Sequence, residues 1–445
     1  MTNDHLRTSR RGLFLGAAAL ATAPRLVFAS TEAETRHAAD APIEDAARLS
    51  DRIQPYGPHQ AGITTPRPAN GMIASFHVLA DNPADLERLF RRLTDRIIVL
   101  TKGGPVPELD PKLPPSDSGI LGPVLTPDAL TVTVGLGASL FEDRPWLQPA
   151  KPRALVRMAQ FRNDALIADL CHGDLVIQLC ANTQDTVIHA LRDIVKSIPD
   201  QLVLKWAQAG NVPVISPPPG APPESARNLL GFRDGSANPD SADASLMDTV
   251  VWVGPANDEP DWATGGSYMA VRIIRNNVER WDRTPLLEQE RIFGRTKITG
   301  APLDHPHGTE AMAPDFAADP HGKVTPLDSH IRMANPRTPA SKANLILRRP
   351  FNYVNGVLKN GQLDQGLLFI CWQADIEKGF ITVQRRLDGE PLEEYIKPVG
   401  GGYFFALPGF AEGGDDFLGR TLIAALSPTS QDSSQSGLST SQAQN

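Results

Sequence analysis

The stretch GFRDGSANP (residues 231–239) holds one charged pair, Arg233-Asp234, between glycines, seven residues after the Pro/Gly-rich PVISPPPGAPP. Its other residues are mostly turn formers or small polar types, which makes it a loop. A carboxylate there stands where backbone can approach a ligand closely on either side. A second stretch, SHIRMANPRTPASKANLILRRPFNYVNG (329–356), sets His330 and Arg337 in a polar loop and Arg348-Arg349 inside an apolar strand. Charge within LILRRPF must emerge into a cavity or find a partner, because burying it unpaired is costly. Strand alternation sends the two arginines to opposite faces, so one can enter a pocket while the other reaches solvent. Two surface arginines lying along their apolar stems are the competing reading.

Other chemistries find less support. His305, His307 and His321, in DHPHG and PHG, raise a metal-cluster alternative, but they sit in Pro/Gly loop sequence without an i, i+4 pair. No G-x-S-x-G elbow occurs, and Cys171-His172 are sequence neighbours with nothing to mark a nucleophile. Carboxylate pairs in so acidic a chain identify no glycosidase. The three cysteines give no disulfide framework, and Cys180 and Cys371 lie in apolar runs that suit buried thiols.

The elements that must position these residues come in two rounds. Apolar alternation and β-branched content predict strands over 71–80, 129–137, 174–182 and 201–210, with amphipathic helices over 82–97 and 183–198. The second round predicts strands over 266–278, 344–354, 366–375 and 401–409, with helices over 279–294 and 376–387. Two passes of β-α-β-β-α-β predict an α+β fold of two ferredoxin-like domains with antiparallel sheets, 61–225 and 226–426. A doubly wound parallel sheet is the alternative, disfavoured because no Gly-rich phosphate turn follows a strand.

The ends read differently. SRRGLFLGAAALATAPRLVFAS joins a twin arginine, Arg10-Arg11, to an alanine-rich apolar run too short to span a membrane well, predicting a twin-arginine signal peptide over 1–29. That route exports folded proteins, so the expected location is the periplasm. An extended polar arm over 30–60 and a disordered Ser/Gln-rich tail over 427–445 flank the body. The chain has 445 residues and a net charge of −8, with residues 1–29 carrying +3. The body is therefore strongly acidic, which argues against nucleic acid or an anionic membrane as partner.

GFRDGSANP, SHIRMANPR, LILRRPFNY and YIKPVGGGYFFALPG together resemble the dye-decolourising peroxidases, haem proteins built from two ferredoxin-like domains. With the leader and YGPHQAGI (56–63), the resemblance is strongest to the exported branch of that family with deferrochelatase/peroxidase activity. It covers about residues 55 to 425, with one departure: Pro350 stands where a glycine usually follows the paired arginines. The resemblance implies haem b in the C-terminal domain. His330 matches the proximal iron ligand, while Asp234 and Arg348 match the distal acid and arginine. Gly235, Ser236 and Ala237 match backbone against the haem. Asn335, Pro336 and Arg337 match its edge, with Arg337 suited to a propionate. Glu394 is the expected acceptor of the proximal imidazole N–H.

The implied reaction is reduction of hydrogen peroxide through a ferryl intermediate at the cost of organic donors, with Asp234 moving a proton and Arg348 stabilising developing charge. Trp372, Tyr353 and Tyr403 are candidates for carrying electrons to the surface, against the simpler reading as core aromatics. Removal of iron from haem with the porphyrin intact is the alternative, and a haem carrier a further one. The implied partners are hydrogen peroxide, an organic reductant, haem as substrate, components of an iron-uptake system, and a second copy in a homodimer.

Overall fold

Eight strands and three long connecting helices carry the two rounds. The structure, a computed structural model, describes residues 50–214 and 224–426; the predicted leader, most of the arm and the tail lie outside them. The first round comprises β1 (Asn70–Val78), α1 (Pro83–Lys102), β2 (Thr131–Gly137), β3 (Leu175–Ala181), α2 (Gln184–Ser197) and β4 (Leu202–Asn211). Both helices start where the sequence supplies a cap. The Asn82 side chain accepts the Asp85 N–H at 3.0 Å, and Thr183 accepts that of Thr186. Leu86, Leu89, Phe90, Leu93, Ile97 and Leu100 follow helical spacing and bury one face of α1.

The second round comprises β5 (Ser267–Asn276), β6 (Phe351–Val357), β7 (Leu363–Gln373) and β8 (Ile396–Ala406). A long insertion separates β5 from β6 and contains α3 (Leu286–Phe293) and α4 (His330–Ala334). Between β7 and β8 the helix opens with a wide π turn, Glu377–Ile381, and continues as α5 (Thr382–Leu387).

Strand order is β2-β3-β1-β4 in the first sheet and β8-β5-β7-β6 in the second, all antiparallel. Both are the ferredoxin-like arrangement. The sheets also join edge to edge at both ends. β2 pairs with β8 over Gly135–Gly137, and β4 meets β6 at Asn211 and Asn352, so the strands form a closed ring. Gly210 permits the second seam, since a Cβ there would lie 2.7 Å from the Asn352 carbonyl oxygen.

Alternation along the strands feeds two cores. Met72, Ala74 and Phe76 of β1 face the helices, whereas Ile73 points between the sheets with Val176, Met269, Val271, Phe351, Leu368, Ile370, Trp372 and Phe404. Burial on both faces explains why these strands read as nearly continuous apolar runs.

Two predicted elements are broken, each at a proline. The helix expected over 279–294 is a short turn, Val278–Trp281, followed by α3, with Pro285 at the N-cap of the latter. The strand expected over 344–354 is a two-residue piece, Leu347–Arg348, then β6, because Pro350 lacks the N–H a ladder needs.

Candidate active site

A cavity of about 250 Å³ opens in the second half of the chain, walled by Ile274, Leu367 and Phe369 of the sheet and by Phe293, Leu345 and Phe380. Asp234, Ser236, Ala237, His330, Asn335, Arg337 and Arg348 all line it, so two distant stretches of sequence meet there. Gly235 and Pro336 do not line it. Gly235 packs back on Ser225, whose Cβ would lie 2.4 Å from any Cβ at 235.

The Asp234 loop is fixed from behind. Asn228 accepts the N–H groups of Leu230 and Phe232, both at 3.1 Å, and the Asp234 N–H reaches the Ala226 carbonyl at 3.0 Å. Phe232 stacks on Phe293 with centroids 4.0 Å apart, inside a small core that includes Trp281 and Tyr395. Asn238, which the sequence did not single out, accepts the Arg348 N–H at 2.9 Å and donates to the Arg348 carbonyl at 3.0 Å. That two-point contact seats the loop on the strand.

Arg348 turns into the cavity. Its guanidinium donates to the Ser236 carbonyl at 2.8 Å and lies 3.8 Å from the Asp234 carboxylate. Burial raises the Asp234 carboxyl above the ordinary aspartate range, against the opposing charges of Arg348, Arg67 and His330. Such a group can hold or release a proton nearer neutrality than a surface aspartate can. Arg349 does not reach solvent as its alternation suggested. It is buried between the two halves, donating to the carbonyls of Thr65 and Pro66, while Arg67 donates back to the Pro350 carbonyl.

His330 opens α4 and packs edge-on against Phe293. Its Nδ1 is bonded to the Glu390 carboxylate at 2.7 Å, which leaves Nε2 for another partner. Burial lowers the His330 pKa, but the charge and hydrogen bond of Glu390 outweigh it and hold the imidazole above its usual range. The expected acceptor, Glu394, is elsewhere: its exposed carboxylate pairs with Arg280 at 3.1 Å. Four carboxylates occupy DGEPLEEY, and the short helical turn Pro391–Glu394 turns Glu394 away from the cavity while Glu390 precedes it and stays buried.

Arg295 is a further residue on the cavity wall that sequence reasoning missed. Burial, with the charges of Arg337 and Arg348, pushes its pKa down to about 10. Arg337 adopts a left-handed backbone (φ 56°), stabilised by its N–H donating to Asn335 at 3.0 Å. Trp372, Tyr353 and Tyr403 are at most 3% exposed, so none of them presents a surface of its own. Tyr403 packs on the cavity residue Phe380 with centroids 5.7 Å apart.

This architecture fits a flat, mostly apolar macrocycle with carboxylates at one edge. One imidazole nitrogen is free to ligate a metal, the walls are apolar, and Arg295 lies in the charge of Arg337 and Arg348 where an anion would relieve it.

The family model described as Dyp-type peroxidase, N-terminal, matches residues 60–211, and that described as Dyp-type peroxidase, C-terminal, matches 225–411. A deferrochelatase of Escherichia coli O6:K15:H31 (strain 536 / UPEC) is 54% identical over 417 residues, 93% of this chain and 97% of its own. A solved DyP-type peroxidase from Cellulomonas bogoriensis is 35% identical, with a TM-score of 0.74 over 84% of this chain and 99% of its own. A DypB variant from Rhodococcus jostii RHA1, solved in complex with heme, is 20% identical with a TM-score of 0.54 over 80% and 97%; that likeness is one of fold.

Proposed function

Because this chain belongs to the Dyp-type peroxidase family, we propose that its cavity holds haem b and that Asp234 and Arg348 serve the reduction of hydrogen peroxide there. The observation that carries this reading is the pairing of Asp234 with Arg348 in the same apolar cavity as a half-buried His330 held by the buried Glu390. His330 would hold the iron through Nε2, and Arg337 and Arg295 would meet the carboxylate edge. Haem, when bound, would supply a redox-active iron able to react with peroxide.

The remaining work falls to the chain. Asp234, with its proton affinity raised by burial, takes a proton at its carboxylate and returns it one oxygen further along the substrate. Arg348, permanently charged and anchored on Ser236, stabilises negative charge as the O–O bond lengthens. The apolar walls exclude water from the exchange. A carrier has no need of this acid and cation, which places haem carriage third.

A second reading, removal of iron from haem with the porphyrin left intact, is favoured by the similarity to a protein named deferrochelatase over nearly the whole chain. Under it haem is substrate as well as cofactor, and the setting we propose is iron acquisition in the periplasm after twin-arginine export.

Stopped-flow mixing of the Asp234→Asn/Arg348→Leu double variant with peroxide tests the first reading. The rate should fall by ~10²-fold or more, and a wild-type rate would refute it. Incubating the protein with haem, with and without peroxide, and identifying the tetrapyrrole separates the second. Intact metal-free porphyrin supports iron removal, and its absence under both conditions removes that reading.

A further inference from the structure

Glu310 lies in HGTEAM, outside every segment that carried the resemblance. Its carboxylate nonetheless reaches both sides of Asp234. One oxygen accepts the Ser225 N–H at 2.6 Å; the other accepts the Ser225 hydroxyl and, at 3.0 Å, the Ser236 hydroxyl. The Ser225 hydroxyl in turn accepts the Gly235 N–H at 3.1 Å. Ser236, held by Glu310 at its side chain, offers its carbonyl to Arg348. The Glu310 backbone is itself fixed, its carbonyl accepting from Arg295 at 3.1 Å.

Resting on the reading of Asp234 and Arg348 as the reacting pair, we propose that Glu310 is a positioning residue for both, a clamp acting through Ser225 and Ser236. The chemistry of the site calls for a carboxylate. Three donors converge on it, and an ionised carboxylate accepts at both oxygens, whereas glutamine turns an N–H₂ toward one of the donors. Charge-assisted bonds of this kind are roughly twice as strong as neutral ones. The Glu310 carboxylate bonds to Ser225 and Ser236 rather than to Asp234, so its proposed role involves no proton transfer. It determines where the Asp234 carboxyl stands relative to Arg348, and a displacement of about 1 Å in such a constellation can cost ~10²-fold in rate.

The experiment compares Glu310→Ala and Glu310→Gln with wild type. In the haem-free protein, amide hydrogen exchange of residues 234–238 should quicken by about tenfold or more in Glu310→Ala and less in Glu310→Gln, with β1 and β5 unchanged. In the haem-loaded protein the peroxide rate should fall by ~10–100-fold. The acid limb of its pH profile should move to lower pH, since a loosened Asp234 loses the burial that opposes Arg348, Arg67 and His330. The Ser225→Ala/Ser236→Ala double variant should reproduce Glu310→Ala, and combining all three should add little. If Glu310→Ala fails to fold, the serine variant decides by the same measures. Exchange and pH profile matching wild type would overturn the clamp. Should Asp234→Asn alone leave the peroxide rate unchanged, the reading of Asp234 fails, and the exchange measurement still decides whether Glu310 holds the loop.

Discussion

Replacing Glu390 by glutamine keeps the shape of the side chain and removes its charge. The Glu390 carboxylate accepts from His330 Nδ1 at 2.7 Å and is only 5% exposed, so no water replaces it. A hydrogen bond to a charged group is worth ~1.5–3 kcal/mol, against ~0.5–1.5 for a neutral pair, so the substitution forfeits ~1–2 kcal/mol of ligand basicity and orientation. At about 1.4 kcal/mol per factor of ten, haem affinity should fall by ~5–30-fold, near the range found for partners of metal-ligating histidines. The haem reduction potential should rise, because a less anionic ligand stabilises the oxidised iron less. Titration of haem-free protein with haemin reads the first quantity and spectroelectrochemistry the second; a purely structural role for Glu390 leaves the potential unmoved. Glu394→Gln, at the exposed partner of Arg280, is the matched control and should change neither. If Glu390→Gln binds haem as tightly as wild type at an unchanged potential, the imidazole partner has been misassigned.

His330→Ala should leave a folded protein that no longer retains haem, read as loss of the Soret band after reconstitution and desalting. Asp234→Asn should stabilise the haem-free protein at neutral pH. The buried carboxyl holds its proton to higher pH than the unfolded chain does, so wild-type stability declines as pH rises from ~3.9 through the folded value, while asparagine does not titrate. Thermal melts should differ by roughly 2 °C at neutral pH and converge at low pH; a constant difference would show that the charge is not the cause. Arg10→Lys with Arg11→Lys should retain the precursor in the cytoplasm, and equal periplasmic recovery by fractionation would exclude twin-arginine export.

Local pattern made most elements legible. Amphipathic spacing marked α1, Thr183 announced α2 by its capping chemistry, and the β-branched alternation of ALTVTVGLG marked β2. Asp234 and Arg348 were legible as candidates because charge beside glycine or inside an apolar strand demands a reason, whereas His330 stood out only through the family resemblance; all three line one cavity. What sequence did not show depends on distance along the chain. The choice of Glu390 over Glu394 is made by the helical turn Pro391–Glu394, and no pattern in DGEPLEEY encodes which of its carboxylates meets His330. Arg349 reads as an outward side chain until the carbonyls of Thr65 and Pro66, more than 280 positions earlier, are brought beside it. Pro350 and Pro285 did carry a signal, since each removes an N–H from the element drawn through it.

The closed ring of strands bears on how the molecule is made. β8, the last strand to leave the ribosome, is bonded to β5 on one side and to β2 on the other. Glu390 lies just ahead of it, Arg348 pairs with Cys371 of β7, and the nearby Pro350 carbonyl accepts from Arg67 in the earliest part of the body. A nascent chain stopped short of Ile396 can form the first sheet but cannot seal the ring or finish the wall beneath His330. On the proposed reading, haem capture therefore waits until β8 has been made. Bound haem would then report that β8 is in place and the ring of strands sealed.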